Sequence, residues 1–545
     1  MNLQRNNVKL ADEALLANLG YKQELKRAFT PFEVFGVAFS IIGLVPSIAS
    51  VLFNAIPNGG AVSVVWGWAI ASVLILCIAM ALAELASAAP TSGGMYYWTY
   101  SLSSPRCRTL LCWIVGYANT IGTITALASV DWSCAIQITA AVSMGTNRAY
   151  TTNNAQLYGI YAAIVLLHAF IVSLGTNILA KLQILYTVLN VCLCLALIIG
   201  LPVATPSEFR NEPSYALGDF TNLNGWPSGF AFIMGLLYPM WTIGGYDSSV
   251  HMSEEASNAA TAVPWAIVSS VSVAGILGWA ISLSIVFCMG TDLESLINSP
   301  IGQPMAQIFF NSFGQKGALV IWAMIVLVQC AQFMMGSSCL LAASRQTFAF
   351  SRDGALPLSR YLYRINSFTK TPVNTVWFCA VIALLLGSLA FAGTEAINAI
   401  FTIPVTALYI SYMIPIFARF AFKNSFKHGP FHLGFMSFPV SMTALSFMFF
   451  MDIVFFFPAT PQTTVNGMNY TVVVLGGVLF LAVTWYYLPV YGGVNWFKGP
   501  VANTNPNICE RGVQENGVWA DVLVDSKEKE EKSQVQDAVN VVQDE

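Results

Sequence analysis

Asp131 and Asp247 lie inside long apolar runs, and Glu254, Glu255, Arg345 and Arg352 lie at the ends of others, so charge chemistry must be sought in these six residues. An ion inside a membrane is costly, which makes each intramembrane carboxylate a functional candidate. Asp131, in Ala-Ser-Val-Asp-Trp-Ser, can pair with an amine, bind a proton, or be satisfied by nearby hydroxyls. Asp247 can bind a proton or tie the preceding segment to a gate. Glu254 and Glu255 are expected to face Arg345 or Arg352, forming ion pairs that break and re-form. His168, single in its run, reads as a hydrogen-bonded packing residue.

Two apolar runs are interrupted, at Gly43-Leu44-Val45-Pro46-Ser47 and at Thr242-Ile243-Gly244-Gly245-Tyr246-Asp247. In the first, Gly43 removes a side chain, Pro46 removes an N–H and Ser47 can bond locally, so an open backbone is expected there. Taken alone, a proline kink would explain it. The second break shifts the balance, because unwinding inside a bilayer is tolerated only where freed backbone groups face protein, water or a ligand. Paired breaks point to the substrate site of a secondary transporter. Freed carbonyls suit a cation and freed N–H groups suit a carboxylate, so a zwitterion can use both. The candidate substrate residues are Ile42, Gly43, Leu44, Val45, Pro46 and Ser47, with Trp241, Thr242, Ile243, Gly244, Gly245 and Tyr246. The rings of Trp241 and Tyr246 can attract an ammonium group, worth about 2 kcal/mol when desolvated.

The elements that must position these residues are membrane helices. Hydrophobic residues make up 56% of the 545 and charged residues only 9%, against about 25% in soluble chains. Apolar runs near 32–53, 61–88, 110–141, 156–174, 182–201, 227–250, 264–290, 317–341, 374–392, 395–418, 435–457 and 471–491 predict twelve spans in an all-α polytopic protein. The breaks open the first and sixth spans. This suggests a five-plus-five inverted repeat, about 31–201 and 227–418, with two extra helices at about 435–491. Between spans seven and eight, Asp292 to Phe313 reads as a short amphipathic segment.

With a cytoplasmic N-terminus, Arg148, Arg210 and Lys316 alone of the 24 Lys and Arg fall in outer loops. The positive-inside rule therefore puts the N-terminal segment (1–30) and the tail (493–545) in the cytoplasm. The tail, with Lys527-Glu528-Lys529-Glu530-Glu531-Lys532, is expected to be largely disordered. A net charge of −3 implies no nucleic acid. No Walker, dinucleotide or GxSxG motif points to an enzyme or an ATP-driven pump, and His251-Met252-Ser253-Glu254-Glu255 fits no metal pattern, so no cofactor or metal is called for. A channel would need more polar stripes than these spans show.

Glu84-Leu85-Ala86-Ser87 with Pro90-Thr91-Ser92-Gly93-Gly94-Met95-Tyr96-Tyr97-Trp98 resembles the signature after span two in the amino acid–polyamine–organocation superfamily. Tyr246 through Ala256, Ser344 through Pro357, and Thr371-Pro372-Val373-Asn374 agree with it. The chain is most similar to the fungal branch of GABA and choline permeases. That resemblance implies alternating access, import of an amine-bearing metabolite and, commonly, proton coupling. It also carries the substrate position onto Ile42–Ser47 and Trp241–Asp247. Many α-amino-acid members have a small-residue triplet in the first break. Here Gly43-Leu44-Val45-Pro46-Ser47 offers fewer small residues and one donor less, which leaves room for GABA or choline. Some relatives place a lysine in span five, where this chain has Asn190. Coupling then falls to Asp131 or Asp247, or to a cation held by first-break carbonyls and Ser337 or Ser338. The expected protein is a plasma-membrane permease for GABA or a related amino acid. The alternatives are a choline or polyamine permease, a vacuolar location, and a nutrient sensor that binds without transporting.

Overall fold

A computed structural model of the protein describes residues 2–503, apart from 175, 328, 370 and 463–467. The acidic C-terminal tail lies outside the described residues. Helices account for all of the long elements: α1 (Asn2–Asn18), α2 (Pro31–Ile42), α3 (Leu44–Ala55), α4 (Trp68–Ala88), α5 (Gly94–Leu102), α6 (Arg108–Gly145), α7 (Asn154–Ser173), α8 (Thr176–Ala204) and α9 (Ser228–Gly235). They continue with α10 (Leu237–Thr242), α11 (Ser248–His251), α12 (Ala259–Cys288), α13 (Pro304–Leu327), α14 (Gln329–Arg352), α15 (Val373–Gly387), α16 (Thr394–Ala421), α17 (Ser437–Val454) and α18 (Tyr470–Tyr487).

Among the described residues, 10 helices are long and apolar enough to cross a membrane. Two expected spans differ from this pattern for local reasons. The run 227–250 is cut into α9, α10 and α11, each too short to cross alone. The run 317–341 covers the end of α13 and the start of α14, and its junction adjoins residue 328, outside the described residues. The segment read as amphipathic holds a short helix, Leu293–Ile297, followed by the first half of α13, which kinks at Gly314 (φ 67°).

Local chemistry sets the entry to the bundle. Thr30 caps α2 in a reciprocal capping box with Glu33, and Pro31 occupies the first helical position, where its missing N–H costs nothing. The two broken segments form the centre, with α10 packed on α3. Around them α12 packs along α4 and α2, while α16 and α14 pack along α6. Val73, Ile199, Ile276 and Phe480 lie exposed on the outside, as lipid-facing side chains of a multi-pass membrane protein do. Both ends of the described chain meet on one face: the Lys22 N–H donates to Asn503 Oδ1 (2.6 Å), and the Asn503 N–H to the Gly20 carbonyl (2.9 Å). We call this the terminal face.

Candidate functional site

The first break is a single residue. Gly43 sits at φ 44°, ψ 61°, in the left-handed region, and α3 resumes at Leu44. Pro46 is therefore the third residue of a new helix, where its missing N–H opens nothing. Ser47 Oγ donates to the Ile42 carbonyl (2.6 Å), and the Ser47 N–H to the Gly43 carbonyl (2.9 Å). Among the described residues, no backbone partner meets the Ser40 and Ile41 carbonyls or the Leu44 and Val45 N–H groups. The second break is wider: Ile243 to Asp247 is non-helical, with Gly245 at φ 77°. No described residue accepts from the N–H of Gly245 or Tyr246.

The breaks meet at a cavity of about 50 Å³, large enough for little more than a water molecule or two. Its wall takes Ile41 from α2 and Trp241, Ile243, Gly244, Gly245 and Tyr246 from the second break. Ile42, Leu44, Val45, Pro46 and Ser47 are buried behind it, so that part of the expected substrate set is corrected to Ile41. Gly43 faces Met335 on α14, and Thr242 is turned to the Tyr238 carbonyl (2.8 Å). Sequence reasoning missed the remaining wall: Ala126, Ser129 and Val130 on α6, Met335 and Cys339 on α14, and Pro404, Tyr409 and Tyr412 on α16. The spacing of Tyr409 and Tyr412, which share a helix face, was the available signal. Trp241 is held by its indole N–H, which donates to Ser129 Oγ (3.2 Å), and Tyr246 lies against Tyr412 with ring centres 6.1 Å apart.

The two ends of this cavity differ. On the terminal face, both Arg352 guanidinium nitrogens donate to Glu254 at 3.0 Å, and Arg345 Nε donates to Glu255 at 2.7 Å. All four side chains are buried. The N-terminal segment crosses this seal: the N–H groups of Ala28 and Phe29 donate to the Glu255 carbonyl at 3.0 Å, and the Tyr21 ring lies 4.0 Å from the Arg352 guanidinium carbon. On the opposite face a vestibule of about 510 Å³ is lined by Phe53, Asn54, Glu294, Glu395 and Tyr470 among others. The ring of Phe401 stands between the two spaces, 5.8 Å from Phe53 and 5.6 Å from Trp241.

The charged and polar candidates separate into different places. Asp131 is fully buried against His168 on α7, with Nδ1 3.1 Å from each carboxylate oxygen. His168 is thus a partner of the carboxylate rather than a packing residue alone. Asp247 lies 3.5 Å from His251 Nε2, at the terminal-face side of the break. Ser338 exchanges hydrogen bonds with Gln183 on α8, Ser337 Oγ donates to the Met334 carbonyl, and Asn190 contacts Cys194. None of these three lines the cavity. The proposed cation site between first-break carbonyls and Ser337 or Ser338 is not assembled, because Met335 is the α14 residue set against Gly43.

A multi-pass helical membrane protein with a small site between two helix breaks is the class this geometry defines. The amino acid permease family model matches residues 29–479. An uncharacterised amino-acid permease of Schizosaccharomyces pombe is 38% identical over 90% of this chain and 88% of its own length. The GABA-specific permease of Saccharomyces cerevisiae is 37% identical over 90% of this chain and 86% of its own, and amino-acid permease 2 of Neurospora crassa is 34% identical over 92% and 91%. The chain belongs to the amino acid permease family, within the amino acid–polyamine–organocation superfamily, and is a transporter, not an enzyme.

Proposed function

We propose that this chain imports GABA or a closely related amino acid by alternating access, driven by a proton gradient across the plasma membrane, with both chain ends in the cytoplasm. In this reading the terminal face is the inner face, the vestibule is the outer one, and the breaks head two inverted halves of a twelve-helix bundle. The observation that carries the reading is the second break. It offers the N–H groups of Gly245 and Tyr246 to a carboxylate, while the Ser40 and Ile41 carbonyls at the end of α2 offer acceptors to an ammonium group. The likeness to a GABA-specific permease over most of both chains supports the same substrate.

The test is uptake of labelled GABA in cells expressing the chain, in competition with excess choline, putrescine and α-amino acids, at two external pH values. Saturable uptake that rises at acid pH and resists choline is the expected result. Absence of GABA uptake removes the substrate assignment, and GABA binding without flux would make the protein a sensor. One feature favours a quaternary amine as a second reading: Trp241, Tyr246, Tyr409 and Tyr412 line the cavity and no Asp, Glu, Lys or Arg does. Trp241→Ala then lowers choline uptake more than GABA uptake; equal losses would count against an aromatic cage.

A further inference from the structure

We propose that the coupling proton binds at the Asp131–His168 pair and that Gly336 makes α14 respond to it. This rests on the proton-coupled reading above and names where its proton goes. Both side chains are fully buried between α6 and α7. Asp131 Oδ1 and His168 Nε2 have no hydrogen-bond partner. With a neutral imidazole the pair carries one uncompensated negative charge in an apolar interior, which is costly. Adding one proton to the carboxylate or the imidazole makes the pair neutral overall, and its departure restores the charge, with no other bond changed. The groups facing the pair are the Cys134 thiol on α6, the Tyr161 phenol on α7 and the Cys339 thiol on α14. Cys339 also lies within electrostatic reach of Asp247. The α15 helix, packed against α7, contributes no charged residue, and His168 is the one cation-forming group set against Asp131 among the described residues.

The pair is wired to the substrate cavity on two sides. Ser129 and Val130, next to Asp131 on α6, line the cavity, and Ser129 holds Trp241. On α14, Met335 and Cys339 line it and flank Gly336. A Cβ built on Gly336 would lie 2.2 Å from Asp131 Oδ1 and 2.5 Å from His168 Cε1, so α14 rests directly on the pair. The Phe333 ring, one turn earlier, covers the imidazole with ring centres 4.2 Å apart. A charged, deprotonated pair needs water or a polar neighbour. At this contact it gains one only if α14 moves away, and that motion carries Met335 and Cys339 with it.

The experiment uses the full chain in proteoliposomes, with labelled GABA and a pH-sensitive dye inside. Three quantities are read: accumulation driven by an imposed pH gradient, substrate-induced proton entry, and exchange of internal for external GABA without a gradient. Asp131→Asn is expected to lower gradient-driven accumulation by about tenfold or more and to abolish proton entry, while still exchanging GABA. His168→Gln is expected to move the pH midpoint of uptake by about one unit or more. Gly336→Ala, which forces a side chain into the pair, is expected to slow accumulation and exchange together. Wild-type proton entry in Asp131→Asn, or an unshifted profile in a transporting His168→Gln, overturns the proposal. Should Asp131→Asn not fold, the His168→Gln profile decides. A wild-type protein that exchanges GABA but never accumulates it on a pH gradient instead overturns the coupling reading itself.

Discussion

The two helix breaks of this protein solve the same problem in different ways. At Gly43 the chain turns through one left-handed residue and is helical again at Leu44, with Ser47 bonding back to the Ile42 carbonyl. At Ile243–Asp247 five residues stay unwound, and four of them line the cavity. A single left-handed glycine frees backbone groups but keeps the side chains around it packed. A longer opening turns backbone and aromatic surface alike towards a ligand. The second break is therefore the recognition surface and the first a hinge and counter-surface. They touch where Gly245 faces Ile41: a Cβ on Gly245 would lie 2.3 Å from Ile41 Cγ2.

The sharpest way to break the comparison is at the anchor of the second break, which has no counterpart in the first. Arg352→Ala leaves Glu254, 1% exposed, without its guanidinium; losing one partner of such a pair costs about 3–5 kcal/mol. Thermal unfolding of the purified protein should show that loss, and the double substitution Glu254→Gln with Arg352→Gln should recover much of it. If Arg352→Ala is as stable as wild type, the anchor is dispensable. Next in size is Gly245→Ala, which meets both a φ of 77° and the Ile41 contact. Misplacing the break by the ångström needed should lower uptake about 100-fold at unchanged surface amount. Gly43→Ala should cost less, about tenfold, because its φ of 44° is nearer the range side chains adopt and its neighbour, Met335 Sδ at 3.0 Å, is flexible. Equal losses at the two glycines would erase the distinction between hinge and recognition surface.

These two glycines also mark how far the sequence could be read. Both breaks were legible, since Gly43 and Gly244-Gly245 interrupt otherwise bulky apolar runs. What followed Gly43 was misjudged. Pro46 reads as a helix opener in sequence but falls in the first turn of α3, where proline is harmless. The ion pairing of Glu254 and Glu255 with Arg352 and Arg345 matches an expectation from charge placement alone. Tyr409, Tyr412 and Pro404 stayed hidden because an aromatic stripe in an apolar span reads equally well as a lipid-facing surface. The Asp131–His168 contact joins two helices, and the role of Gly336 depends on the small gap between three of them; neither leaves a local pattern.

The smallest expected effect comes from a titrating group beside the anchor of the second break, Asp353. It lies just past the terminal-face end of α14. It accepts from Tyr96 (2.7 Å), Tyr21 (3.2 Å) and the Val501 N–H (2.9 Å), so it ties the N-terminal segment and the last described residues to the seal. Burial pushes its carboxyl up to about 6, partly offset by Arg352 and these donors. A solvated carboxyl in an opened seal would return towards 3.8, so between those values the closed form binds the extra proton. Acid on that face therefore favours closure, and the effect vanishes as pH rises above the closed-state value. At pH about 5.5 the bias is about fourfold relative to neutral, by linkage. Efflux from proteoliposomes clamped at these pH values on the terminal face should slow by that factor, and Asp353→Asn should remove the dependence. An unchanged pH response in Asp353→Asn would separate the second break from this latch and leave the Glu254–Arg352 pair as its whole anchor.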